Sequence, residues 1–155
     1  MSISRFVRDE RGVSAVELGV SLPILVMLTV GAVDVSNLVS ARLDLEQAAQ
    51  RTTDLALASH PKSSDGAYLL AEAAAASGQP TRNIAVEIFL ECDGEREASY
   101  AATCDDTEER ARFASVTIST DYEPIFNYRA LGPLFGRHMI DSSIRITGDS
   151  VVRFQ

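Results

Sequence analysis

The chain opens its pattern with an unbroken apolar stretch from Val13 to Val33, VSAVELGVSLPILVMLTVGAV, in which Glu17 is the lone ionisable side chain. At 1.5 Å per residue, roughly 21 helical residues rise about 31 Å, close to the ~30 Å hydrocarbon core of a bilayer. The pattern therefore predicts a membrane-spanning helix. A charged segment ending at Gly12, with Arg5, Arg8 and Arg11, precedes it. Pro23 falls inside the span, removes one backbone hydrogen bond and is expected to kink or loosen the helix there.

Past Val33 the period changes but the helix does not stop. Leu38, Ala41, Leu45, Ala48, Thr52 and Leu55 recur at spacings of three and four, which makes one apolar face. Arg42, Asp44, Glu46, Gln47, Gln50, Arg51 and Asp54 occupy the rest. The next breaker is His60-Pro61, where the helix is expected to end. One helix of about 70 Å, from about residue 12 to 58, follows from these two patterns. Its first half (13–33) is a membrane anchor and its second (34–59) is amphipathic. A coiled-coil seam is the competing reading of the second half, but the face is short and rich in Ala.

The remainder, 60–155, reads as a small α+β domain. Ser63, Ser64 and Asp65 are N-cap candidates for a short Ala-rich helix from about Ala67 to Ala76, closed by Ser77-Gly78. Residues 83–91, NIAVEIFLE, and 114–122, ASVTISTDY, alternate as strands and are expected to pair antiparallel. Between them lies a polar, acidic loop, with a turn of helix expected over Glu108–Arg112. The Pro- and Gly-containing stretch Glu123–Gly136 reads as an ordered loop covering the sheet. A last strand is expected over about Ile140–Ile146. The segment 140–155 then fits either one long strand with a bulge or a hairpin turned at Gly148.

Charge sharpens this picture. The 155-residue chain has a formal net charge of −8 at pH 7, which argues against nucleic acid or anionic lipid head groups as principal partners. Arg5, Arg8 and Arg11 precede the span and the next basic residue is Arg42. The positive-inside rule therefore predicts a cytoplasmic N-terminus, with residues after Val33 on the other side of the membrane. Cys92 and Cys104 then lie in an oxidising compartment, where a disulfide is the expected state.

Glu17 needs an explanation, because an ionised carboxylate within a membrane helix costs about 2.5–3.5 kcal/mol at the centre and less near the interface. It lies about 6 Å along the helix from Val13. Cleavage between Gly12 and Val13 would create an α-amino group one turn away, and in an assembly the amine of one subunit could meet Glu17 of the next.

A Gly, a cut, and a Glu at the fifth mature position of an apolar helix resemble the signal of type IV pilin-like proteins. The fuller string RDERGVSAVELGVSLPILVML resembles the TadE/TadF pseudopilins of tight-adherence (Tad/Flp) pilus systems, whose pattern runs R-x-x-x-G-x-x-A-V-E-F-A-L-x-x-P followed by leucines. Tyr122-Glu123-Pro124-Ile125 fits the Tyr-x-Pro-Leu-like stretch of such chains loosely. The resemblance implies a cytoplasmic leader (1–12) removed by a prepilin peptidase and methylation of the Val13 amine. It also implies a helix that bends or melts near Pro23 on assembly, and lateral packing with other pilin subunits and the assembly machinery. The expected location is the inner membrane of a bacterium, with the domain periplasmic or extracellular and incorporated in the pilus.

Two other readings compete. One is an uncleaved single-pass anchor carrying a periplasmic binding or scaffold domain. The other is a soluble domain exported after a cut at Ala32, where Val30-Gly31-Ala32 satisfies the small-residue rule. No enzyme chemistry is expected. His60 and His138 stand apart, without a triad or metal pattern, and no cofactor or metal is implied. The acidic pairs around Asp93-Glu95 and Asp105-Asp106 lack EF-hand spacing and read as a solvated loop.

Overall fold

The computed structural model describes residues 11–126 and 143–155, with side chains from residue 16 onward. Its first element is α1, Arg11–Ser59, a single helix of 49 residues that continues through Pro23. Two different environments lie along it. From Val16 to Leu28 the large apolar side chains are exposed on every side, Leu28 at 65% and Val20 at 62% among them. From Asp34 onward one face is covered, and Leu45, Ala48, Ala49, Thr52, Thr53 and Ala56 are buried. The covered face is rotated slightly from the expected one. Leu55 is exposed at its border, and Ala49 and Ala56 take its place. Their small side chains let the helix axis approach the sheet closely, so shape outweighs hydrophobicity at these positions. At the C-terminus His60 adopts a left-handed conformation (φ 47°) and its N–H returns to the Ala56 carbonyl at 2.9 Å. Pro61 then prevents continuation.

The second helix, α2 (Ala67–Ser77), follows the loop. Its N-cap is Gly66, and Asp65 Oδ1 accepts the Ala67 N–H at 3.1 Å. Gly78 closes it in the left-handed region (φ 67°). A turn of 3₁₀-helix, Thr81–Asn83, leads into β1, Ile84–Cys92. Then come β2 (Glu95–Arg96), β3 (Arg110–Tyr122) and β4 (Ile144–Arg153). The sheet order is β2-β1-β3-β4 and every pairing is antiparallel. The chain is thus α+β, a long apolar helix followed by a small antiparallel sheet domain.

Three local expectations change. The proposed helical turn at Glu108–Arg112 is instead the start of β3, because Arg110, Ala111 and Arg112 pair with Cys92, Glu91 and Leu90. The acidic loop contains a hairpin, in which Asp93 (φ 50°) and Gly94 (φ 84°) turn β1 back into β2. Asp-Gly is a strong two-residue hairpin signal, since both positions need positive φ. The final strand runs from Ile144 to Arg153 in continuous register with β3, so neither a bulge nor a hairpin occurs at Gly148. Of the stretch expected to cover the sheet, residues 127–136 lie outside the described residues, as do His138 and the expected strand start at Ile140.

One face of the sheet packs on α1 and α2. Leu45, Ala48, Ala49, Ala73, Ile84, Val116, Ile118 and Ile146 form the larger core cluster. Ala56, Leu69, Ile88, Ala114 and Phe154 form the second. Gly148 explains how β4 fits beneath the helix. A Cβ built there would lie 2.4 Å from the Glu46 backbone nitrogen and 2.4 Å from the Leu45 carbonyl carbon. The strand crosses α1 backbone against backbone, and only glycine leaves room.

Candidate functional site

The distinctive region is α1 and the junction where it enters the domain. Among the described residues, α1 is the one helix long and apolar enough to cross a membrane. Within it, the Thr29 hydroxyl donates back to the carbonyls of Leu25 (3.1 Å) and Val26 (2.8 Å). Its polar group is therefore satisfied without water, as a lipid environment requires. No atom outside the helix comes within 4 Å of a Cβ built on Gly19 or Gly31.

Glu17 lies on this exposed, apolar part of the helix, flanked by Val16 (67% exposed) and Leu18 (63%). Among the described residues nothing covers it. Gly12 and Val13 fall in the first turn of α1, where the backbone is helical. A helical glycine costs about 1 kcal/mol relative to alanine, so the helix is intrinsically weaker at Gly12.

At the other end of the apolar run, Asp34 is 6% exposed. Its Oδ1 accepts the Ile125 N–H at 2.9 Å and its Oδ2 the Phe126 N–H at 3.3 Å. The Tyr122 hydroxyl donates to the Asp34 carbonyl at 3.3 Å. A buried carboxylate needs such donors. Here they come from the segment that follows β3, which is thereby fastened to the helix one residue beyond Val33. The sequence carries a signal for this contact. Asp34, Leu38, Ala41 and Leu45 share one helical face, so an acidic residue opens an otherwise apolar stripe.

Away from the helix, Cys92 and Cys104 form a disulfide with a Cα–Cα distance of 5.5 Å. It ties the end of β1 to the acidic connection. Glu108 lies beside the two sulfurs, but sulfurs bonded to each other offer no thiolate for a metal. The acidic loop spends some of its carboxylates on its own backbone: Asp93 Oδ1 accepts the Glu109 N–H at 2.8 Å and Glu108 Oε2 the Asp105 N–H at 2.9 Å. His60 is exposed and serves as the cap of α1. On the outer face of the sheet Phe89 and Phe113 stack at 5.4 Å, and the Arg96 guanidinium sits 4.2 Å above Phe89. These are ordinary cross-strand contacts.

No curated protein and no solved structure matches the chain. A family model does match: residues 12–54, the apolar run and most of the amphipathic half of α1, correspond to the family described as TadE-like protein. The match covers Gly12, Val13, Glu17, Pro23 and Asp34. In this N-terminal segment the chain is similar to TadE-like proteins.

Proposed function

We propose that this chain is a minor pilin or pseudopilin of a tight-adherence (Flp-type) pilus system. A prepilin peptidase cuts between Gly12 and Val13, and the mature subunit takes part in pilus assembly as a structural component, not as an enzyme. The observation that carries the reading is Glu17: one carboxylate on a bare apolar helix, one turn from the proposed new amine, within the TadE-like segment. Residues four apart share a helix face, and a neighbour's Val13 amine would neutralise Glu17 and fix the axial offset between subunits. Arg5, Arg8 and Arg11 hold the N-terminus in the cytoplasm and leave the domain on the far side of the inner membrane. Pro23 lets the helix adjust as subunits pack. Continuity of α1 through Ala32 favours an anchor over a signal removed at that residue.

Two measurements test the proposal. Intact mass of the protein from membranes of its native host is expected to show loss of residues 1–12, with or without a methyl group on Val13. An uncut chain, or one cut after Ala32, would overturn it. Glu17→Leu is expected to insert into the membrane as well as the parent while pili are lost; normal piliation would remove Glu17 from the mechanism.

A further inference from the structure

The membrane contact of this protein has a second part, and it rests on the reading of α1 as a membrane span. Ile125 is 74% exposed, more than any other large apolar side chain of the described domain. A lone exposed isoleucine means little by itself. This one is held in a defined place. Its N–H is bonded to Asp34 at 2.9 Å and the next N–H, of Phe126, to the same carboxylate. Asp34 is the first residue after the apolar run, so Ile125 is fixed within about two helical turns of the point where α1 leaves the hydrocarbon. Val33 and Val35, on either side of Asp34, are 54% and 60% exposed, and the apolar surface of the span is continuous with this junction. Tyr122 adds a half-buried aromatic ring whose hydroxyl is engaged with the Asp34 carbonyl, a residue type enriched at membrane interfaces.

The geometry points to Ile125 as a second foot of the domain on the membrane, inserted among the glycerol and upper acyl groups of the outer face of the bilayer beside α1. Two attachments, the helix and the foot, fix the rotation and tilt of the domain over the membrane, where a helix alone would leave it free to swing. The surface it fits is zwitterionic. Glu123 precedes the foot and the chain is acidic overall, with net charge −8, so an anionic lipid would be repelled.

The chain contains no Trp, so each introduced Trp is a unique probe. The full chain, reconstituted in phosphatidylcholine vesicles, is compared in three variants: Ile125→Trp, Leu25→Trp in the span, and Val151→Trp on the outer sheet face. Val151 is 57% exposed and neighbours Ser150, which is bonded to Thr53, about 28 Å along the helix from Asp34. Lipids brominated high or low on the acyl chain read the depth of each probe. Ile125→Trp is expected to emit at shorter wavelength than Val151→Trp and to lose most of its emission to the high bromines and little to the low ones. Leu25→Trp should be quenched by the low bromines and Val151→Trp by neither. Quenching at Leu25→Trp with none at Ile125→Trp would overturn the foot and leave the span standing. A blue shift at Ile125→Trp that depends on protein concentration and not on bromine would also overturn it, assigning the site to a second copy of the chain. No quenching at Leu25→Trp would remove the span, and the foot with it.

Discussion

Single residues decide how closely the helix and sheet of this protein can pack. At Gly148 the backbone of β4 passes against Leu45 and Glu46 with no space for a methyl group. Gly148→Ala is expected to destabilise the domain by about 3 kcal/mol, the upper part of the range for overpacking, as measured by chemical denaturation of the full chain in detergent. A loss below about 0.5 kcal/mol, the scale of a neutral surface change, would mean that β4 shifts readily away from α1. The sequence placed Gly148 in a strand region but left two readings, a turn or a bulge. The single long strand of the second reading is what forms, without its bulge; the need for glycine comes from a helix about 100 residues earlier in the chain, of which local pattern carries no trace. Asp34 shows the opposite case. Its place on an apolar stripe was readable, but its donors, Ile125 N–H and Phe126 N–H, lie in a segment with no strong period of its own.

At the scale of elements, α1 was readable almost to the residue. Two apolar patterns and a terminal His60-Pro61 mark it, and helical period over so long a stretch is hard to imitate. The strands were harder. β3 starts at Arg110 because Arg110, Ala111 and Arg112 find partners on β1, and its first residues have little strand propensity of their own. β2 has only two residues, Glu95 and Arg96, and is held by the Asp93-Gly94 turn and the neighbouring β1. The disulfide belongs to this scale too. It closes a separation of 12 residues around the β1–β2 turn, and a loop of that size contributes about 3 kcal/mol in the chain-entropy model. Reduction, or Cys92→Ala with Cys104→Ala, is expected to lower the denaturation midpoint of the domain while leaving the membrane helix intact by circular dichroism. An unchanged midpoint would show that the β1–β2 hairpin holds this connection without the cystine.

The whole molecule divides sharply by environment. Every buried residue described lies at or beyond Asp34, and none of the described side chains of the apolar run is buried. The core of the domain therefore owes nothing to the span. Residues 34–155 alone are expected to be soluble without detergent and to unfold cooperatively in urea. Aggregation of that fragment, or a gradual transition, would show that the upper half of the apolar helix is needed for folding. The fold class was accessible from the sequence because the two environments demand different compositions. For the N-terminal part of the candidate site, Gly12 through Pro23, residue type and spacing are the whole argument, and the family match spans these positions. The junction at Asp34 was not accessible from the sequence, since it depends on contacts between distant segments.

The crossing of β4 beneath α1 also has a consequence in time. Thr53 on the helix meets its partner Ser150 across 97 positions of sequence. At ribosomal speeds of about 5–20 residues per second, the covered face of α1 is made roughly 5–20 s before the strand that covers it. Through that interval the part of the face that β4 closes, at Leu45, Glu46 and Thr53, lacks its final cover. The newborn chain is at its most vulnerable to proteases and to stray association then, and it stays so until β4 arrives to shut the fold.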